Sequence, residues 1–393
     1  MENVGVSIIM PVYNVQEYIK TSLSNVVNQS YQNIEIIVVD DGSTDLTADL
    51  VKEQMQVDTR IQYIYQEKKN AGVARNIGMM HAHGKYLMFL DGDDMFDEQL
   101  VEKLYDRAES MQADLCICGA DHYDEQQEEY IPQHQYLVKK MLPEQDVFSK
   151  ETNPDYFFNL TTFVPWNKLY LRSFIQENNI QFQNIERVND QYFVMLAMAM
   201  AKRITVVDEC LVHYRTNQSN NLTNTFSQSA MCKYEAFCAV ATTFEEMHLL
   251  ENEHLKQSFV NKALNSMIYG LNIQTDITGF RKMYDILKQE GFERLGVRDY
   301  GEEFYYNQAE YSNYKNIMEH DYQSYLLVKN REYRNTIRVK NFKYNTMVKE
   351  KNSRIKEVEK ELNGIKRKKW YQKMVKMIVI YHKLIGKQDD YQA

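Results

Sequence analysis

A series of short, almost wholly apolar runs alternates with segments of helical periodicity, and this restricts the fold more than any other feature of the chain. The runs are 6–12 (VSIIMPV), 34–39 (IEIIVV), 61–65 (IQYIY) and 86–90 (YLMFL). After the first, Ile19, Leu23, Val26 and Val27 recur at helical spacing, and 46–55 follows the second in the same way. A strand that is apolar on both faces must be covered on both, so the pattern predicts an α/β fold with a mostly parallel central sheet between helices. Pro11, Tyr13 and Asn14 are expected to end the first strand in a loop. Leu100, Val101, Leu104, Tyr105, Ala108 and Met111 form an amphipathic stripe with Asp97 as its N-cap. Residues 114–120 read as another strand, 124–150 as loop with short helix, and 204–214 as closing strands. Asp190 opens a helix apolar nearly all round (Tyr192, Phe193, Val194, Met195, Leu196, Met198, Met200), which places it in the interior.

The fourth run ends abruptly in Asp91-Gly92-Asp93-Asp94. In open α/β sheets ligands sit beyond the carboxyl ends of the strands, so acids there meet a ligand. The glycine is expected to let the backbone turn so that Asp91 and Asp93 converge. Hard oxygen donors of this kind suit Mn²⁺ or Mg²⁺, ions that bind substrate phosphates through one or two carboxylates. The alternative is a polar turn leading into the next helix. No GxGxxG follows any of the runs, so the usual dinucleotide-binding fingerprint is absent.

The 393 residues suggest two or three units. Five cysteines without CxxC spacing signal neither a disulfide framework nor a zinc site, and Cys116 and Cys118 are expected on one face of a buried strand. With no leader pattern at the N-terminus and no window long enough to span a membrane, a cytoplasmic location is expected. Net charge is −9, but eight basic residues and no acid lie between Lys366 and Lys387, leaving 38 basic against 55 acidic residues elsewhere. An acidic body argues against nucleic acid as a partner.

Beyond residue 225 glycine and proline become scarce and helical patterns run to the end. Val348, Ile355, Val358, Leu362 and Ile365 keep an a/d-like spacing for about two heptads, short of a coiled-coil signal, so a solvated helix packed on its own domain is expected. Farther on, Trp370, Met374, Met377, Ile378, Tyr381, Leu384 and Ile385 project to one face, with Lys369, Lys373, Lys376, Lys383 and Lys387 beside it. Such a basic amphipathic helix suits peripheral contact with an anionic membrane, or packing against the acidic body.

The strings IIMPVYN, VVDDGSTD, NAGVARNIGMMHAHGKY and FLDGDD, in this order, resemble the nucleotide-sugar-binding half of the inverting, GT-A-type family 2 glycosyltransferases. The likeness continues more weakly through WNKLY, VNDQYF and HYR to about residue 225. It implies a GT-A domain over 1–225, while the change of character beyond it suggests a helical domain over 226–330 and a helical tail over 331–393. It also implies residue roles. Pro11 and Tyr13 pack on nucleobase and ribose, Asp41 accepts from the base edge, and Arg75 and Asn76 contact the donor. Asp91 touches the ribose, Asp93 binds the metal, and Asp94 faces the donor sugar. Asp190 corresponds to the catalytic base, although Asn189 stands where the family usually has Glu. Trp166 corresponds to the acceptor platform, and His213 and Arg215 open a loop over 216–225 that closes on the donor diphosphate.

The implied reaction is metal-dependent glycosyl transfer from a nucleotide-diphosphate sugar, UDP-linked by preference, to a hydroxyl of a glycan or lipid-linked acceptor in cell-surface polysaccharide synthesis. Two rivals stay open. One is a sugar nucleotidyltransferase, which would leave Asp190 and Trp166 without a task. The other is a degenerate scaffold acting as a membrane-surface binding module.

Overall fold

The computed structural model describes residues 4–216 and 231–384. The apolar runs become β1 (Val6–Val12), β2 (Ile34–Asp40), β3 (Ile61–Tyr65) and β4 (Tyr86–Phe89), connected by α1 (Ile19–Val27), α2 (Thr47–Met55) and α3 (Ala71–His81). They pair in parallel in the order β3-β2-β1-β4. β5 (Met95–Phe96), α4 (Leu100–Met111), β6 (Leu115–Asp124), β7 (Glu129–Gln133), β8 (Lys168–Leu171), α5 (Arg172–Glu177), α6 (Asp190–Met200) and β9 (Ile204–Thr216) follow. The sheet continues from β4 through antiparallel β8 to β6, β9 and β5, with β7 folded back on β6, making nine strands among the described residues. Because the chain leaves β1 for β2 on one side and reaches β4 on the other, a crevice opens at the carboxyl ends of β1 and β4.

The apolar runs are explained by two covered faces. Ile8, Met10, Ile36, Val38 and Met88 point into a core with Leu23 and Val26 of α1 and Leu100 and Leu104 of α4. On the other face Ile9 meets α3 so closely that a Cβ on Gly78 would lie 2.4 Å from its Cγ2. There Phe89, Tyr170, Phe182 and Phe193 form an aromatic cluster, with Phe182 and Phe193 stacked at 3.9 Å between ring centroids. Each side chain of this size contributes about 1.5–3 kcal/mol when fully buried. Cys116 and Cys118 do share one face of β6, within the first core.

Several local expectations change. β1 runs through Pro11 to Val12; its pairing with β4 ends at Ile9, so the missing proline N–H interrupts no ladder on that side. Asp97 does not cap α4 directly. The N-cap is Gln99, whose N–H donates to Asp97 Oδ1 at 2.9 Å. The 124–150 stretch contains β7 and a 3₁₀ turn at Lys139–Met141. The closing strands are one, β9, which pairs with β6 in parallel around a bulge at Gly119.

Two compact units emerge. The first spans Met1–Glu319 and so includes α7 (Cys232–Glu246), α8 (Glu253–Asn272), α9 (Ile277–Ile286), α10 (Phe292–Arg294) and α11 (Gln308–Glu319). α7 packs beside α6, where the Tyr192 hydroxyl and Thr243 Oγ1 are 3.1 Å apart. The second unit, from His320, consists of the 45-residue α12 (Tyr322–Lys366) and α13 (Lys369–Leu384). Among the described residues no helix is long and apolar enough to cross a membrane.

Candidate active site

The acids after β4 line the crevice. Gly92 is not in the left-handed region; its lack of a side chain matters because a Cβ there would lie 2.7 Å from Val12 Cγ1. Close packing on the end of β1, rather than turning freedom, is the reason for glycine. Asp94 is fully buried: its Oδ1 accepts from the Arg215 backbone N–H at 3.0 Å, its carbonyl accepts from Ser22 Oγ at 2.7 Å, and its Oδ2 has no partner. Burial, with Asp91 as second cause, pushes the Asp93 carboxyl up to about 6. Burial, then Asp93 and Asp91, raises that of Asp94 well above its usual range. Crowded, dehydrated carboxylates and an orphaned buried oxygen are what a cation would relieve. Among the described residues no three His, Cys, Asp or Glu side chains converge as a complete metal cage. The acids therefore fit an Mg²⁺-like or Mn²⁺-like ion whose remaining ligands are phosphate oxygens and water.

Helix α3 ties these acids to Asp190. Arg75 is buried; its Nη2 donates to Asp91 Oδ1 at 2.6 Å and its Nη1 to Asn189 Oδ1 at 3.1 Å. The next residue, Asn76, donates from Nδ2 to the Phe182 carbonyl at 2.8 Å and accepts from the Phe182 N–H at 2.9 Å. Its amide thus clamps the loop before α6 instead of pointing free into the crevice. Asn70 caps α3 by accepting from the Val73 N–H at 3.0 Å and also donates to Asn184 Oδ1 at 2.7 Å. Gly72 lets the loop come this near, since its Cβ would lie 2.5 Å from the Gln183 carbonyl and 2.8 Å from Asn189 Cβ. Residues 72, 75 and 76, at i, i+3 and i+4, thus share one face of α3.

Asp190 is the first residue of α6, after the N-cap Asn189. Burial raises its pKa, Arg75 and Lys233 pull it back, and Asp91 adds to the rise. The base candidate and the donor-side acids are therefore neighbours in one electrostatic cluster.

On the other side of the crevice, the adjacent acids Asp40 and Asp41 of VVDDGSTD divide. Asp40 is structural, accepting from the Ser43 N–H at 2.8 Å and the Tyr63 hydroxyl at 2.7 Å. Asp41 is buried, and its Oδ1 accepts from Gln66 Nε2 and from the Lys69 N–H at 2.8 Å. Gly42, at φ +80°, turns the chain after them, and a Cβ there would lie 2.9 Å from the Lys68 backbone nitrogen. Tyr13 is exposed at the end of β1, with Lys68 Nζ 3.6 Å above its ring, whereas Pro11 is buried within the strand.

Trp166 is only 3% exposed, packed between Tyr136 and Tyr214. His213 and Arg215 lie within β9 rather than in a loop. His213 Nδ1 bonds Asp121 Oδ1 at 2.7 Å; Arg215 donates to the Asp93 carbonyl at 2.8 Å and to Glu125 Oε1 at 3.2 Å. Arg215 is thus built into the acid loop. Beyond Thr216, the loop expected over 216–225 lies outside the described residues.

Sequence reasoning missed the Phe182 loop, the partner role of Asn189 and three lysines. Lys168 is fully buried, its Nζ donating to the Thr162 and Val164 carbonyls and to Asn167 Oδ1, and burial pushes it down to about 7. Lys262 and Lys233, on α8 and α7, are each pushed down to about 8 by burial. Only the Lys of WNKLY carried any signal, as part of a matched string.

The sequence model described as glycosyl transferase family 2 matches residues 7–178. The putative glycosyltransferase EpsH of Bacillus subtilis (strain 168) is 30% identical over 302 residues, covering 74% of this chain and 83% of that protein. The putative teichuronic acid biosynthesis glycosyltransferase TuaG of the same organism is 29% identical over 211 residues, 53% of this chain and 78% of its own length. Among solved structures, S. aureus TarS 1–349 in complex with UDP-GlcNAc aligns with a TM-score of 0.59 at 20% identity, over 80% of this chain and 90% of that one.

Proposed function

This chain belongs to the family 2 glycosyltransferases and has their GT-A fold, and from that premise we propose that it transfers a sugar, with inversion, from a nucleoside-diphosphate donor to an acceptor hydroxyl. The observation that carries the proposal is the double engagement of Arg75. One guanidinium holds Asp91, on the donor side, and Asn189, next to the base Asp190.

In this reading the nucleobase lies between Tyr13 and Asp41, over the buried Pro11, and Asp91 meets the ribose. A UDP donor is supported by the UDP-GlcNAc complex of S. aureus TarS, which shares the fold. Asp93, aided by Asp94, would hold a divalent cation, which when bound offsets charge on the leaving diphosphate by several kcal/mol. Asp190 takes the proton of the acceptor hydroxyl as its oxygen bonds to the anomeric carbon. The bond from that carbon to the diphosphate oxygen breaks on the opposite face, and the nucleoside diphosphate leaves with the electron pair. A carboxyl raised by burial accepts this proton more readily near neutrality than an exposed one would. Arg75 orients Asp91 and steadies the Asp190 carboxylate, and Asn76 fixes the loop that presents it. Trp166 supports the acceptor side from within the core.

The acceptor we assign is a glycan or lipid-linked saccharide of cell-surface polysaccharide synthesis, a reading favoured by the likeness to TuaG, a putative teichuronic acid enzyme. Residues 1–225 carry the chemistry, 226–330 support it, and 331–393 form a tail whose basic helix contacts anionic membrane at the cytoplasmic face. A screen of nucleotide sugars with Mn²⁺ or Mg²⁺ tests the proposal. Release of nucleoside diphosphate supports it. Pyrophosphate release would instead mean nucleotidyl transfer, and no turnover of any donor would mean a binding scaffold.

A further inference from the structure

The 45 residues of α12 form one continuous helix, about 68 Å long at ~1.5 Å per residue. Only Tyr325, in its first turn, is buried. Isolated helices in water gain little from propensity alone, so a helix of this length with one buried residue calls for a partner along its apolar stripe. With the helix continuous, the heptad register extends well past the two heptads visible at its end. Ile337, Tyr344, Val348, Ile355, Val358, Leu362 and Ile365 occupy seven of nine successive a/d positions between 337 and 365. Asn341 at a and Lys351 at d fill the other two. The apolar members are left open: Ile355 is 54% and Leu362 47% exposed.

The flanking charges select the partner. In this register Arg354 and Glu361 fall at g, and Glu359 and Lys366 at e. In a parallel pair of identical helices each g residue meets the e residue five places on in the other strand. Arg354 of one copy then faces Glu359 of the other, and Glu361 faces Lys366, both pairs of opposite sign. In an antiparallel pair g meets g and e meets e, so Arg354 can meet Glu361 and Glu359 can meet Lys366. But a then meets d and the polar Asn341 no longer faces its own copy; the match of Asn341 with itself favours the parallel pair.

We propose that the a/d stripe of α12 from Ile337 to Ile365 is a self-association surface, and that its occupant is the same stripe of further copies of this chain in a parallel coiled coil. Asn341, a polar a residue, fixes the register at a cost in stability. β-Branched Val358 and Ile365 at d favour more than two strands.

Light scattering coupled to size exclusion on the full chain, at tens of micromolar, reads this directly. The expected mass is an integral multiple of the monomer. The double variant Ile355→Asp/Leu362→Asp is expected to become monomeric while the main thermal transition of the first unit stays in place. Arg354→Glu should weaken assembly at least about tenfold, of order 1.4 kcal/mol, because every copy exchanges an attractive pair for a repulsion. Arg354→Glu/Glu359→Arg should restore it, because the g-to-e pairing is regenerated with reversed signs. A monomeric wild-type chain overturns the proposal, as it would if α12 were covered by its own chain. So does an oligomer that survives the aspartate pair. An oligomer lost in that variant but indifferent to the charge changes overturns the parallel arrangement.

Discussion

Arg75 Nη2 lies 2.6 Å from Asp91 Oδ1 while the same side chain gives Nη1 to Asn189 Oδ1 at 3.1 Å. A neutral amide therefore stands where the family usually has glutamate. It supplies the acceptor oxygen that Arg75 needs without neutralising the guanidinium, whose charge remains available to Asp91 and Asp190. Rigid planar geometry makes arginine suited to such a double engagement, which lysine cannot reproduce.

The first consequence is a pH effect. Arg75 is the leading opponent of the burial that raises the Asp190 carboxyl. Removing the positive charge in Arg75→Gln raises that carboxyl further, and the base acts only as carboxylate. The acid limb of the kcat profile should therefore move to higher pH. A limb at the wild-type position would separate Arg75 from the base.

Asp190→Asn keeps the shape and removes the proton acceptor. Donor affinity, read by calorimetry with the nucleoside diphosphate, should stay within about threefold of wild type, while kcat falls by about 10²–10⁴-fold. Lost donor affinity with an intact rate would put the base elsewhere.

Much of this arrangement was legible because it is local. Strands buried on both faces announce themselves as apolar runs, and the acids at 91–94 stand directly after one of them. β7 was missed because its residues EYIPQ are mostly exposed, so no burial pattern marks it. The length of the stripe on α12 was hidden by Val339 and Phe342, apolar residues that lie off the seam. In the site, Asp91, Arg75 and Asp190 could be named from motif order, but what joins them could not. Arg75 and Asn189 are 114 residues apart, and Asn76 and Phe182 are 106 apart. No periodicity reports a hydrogen bond across such a separation. Gly92 shows the same limit: sequence suggests a turn, whereas the neighbour that excludes a side chain is Val12.

Metal binding should be coupled to a proton. Asp93, raised to about 6 by burial and by Asp91, is mostly ionised at pH 7.5 and mostly protonated at pH 5. Its folded pKa lies above the unfolded value, so without metal it costs stability above about pH 6, and that cost fades as pH falls. Mn²⁺ should raise Tm at pH 7.5, and its affinity should fall about tenfold or more at pH 5. Asp93→Ala should abolish the Tm response at both. An undiminished response in that variant would remove Asp93 from the metal site.

Gly92→Ala tests how the acids are held. The added methyl must displace Val12, which is buried at the end of β1, and overpacking of this kind costs about 1–3 kcal/mol. Denaturant unfolding should show that loss together with weaker donor binding, as the acids shift. Gly92→Ala/Val12→Ala should be more stable than the sum of the two single changes, because the second removes the clash made by the first. Strict additivity would mean that Val12 is not the obstacle.

The basic tail gives the last test. α13 is helical through Leu384, and Trp370, Met377 and Tyr381 of its apolar face are exposed; Ile385 and Lys387 lie outside the described residues. A helix of this kind can sink its apolar face to headgroup depth, with each cation adding about 1 kcal/mol near an anionic leaflet. The full chain should co-sediment with vesicles containing phosphatidylglycerol and not with phosphatidylcholine alone. Binding should weaken as salt rises, since the Debye length shortens from about 10 Å at 0.1 M to about 3 Å at 1 M. A chain ending at Lys366 keeps α12 but loses α13, so it should stay assembled and turn over a soluble acceptor while no longer sedimenting. Equal sedimentation of the two chains would rule out the tail as the membrane contact, and loss of folding in the shorter one would make α13 a packed structural helix instead.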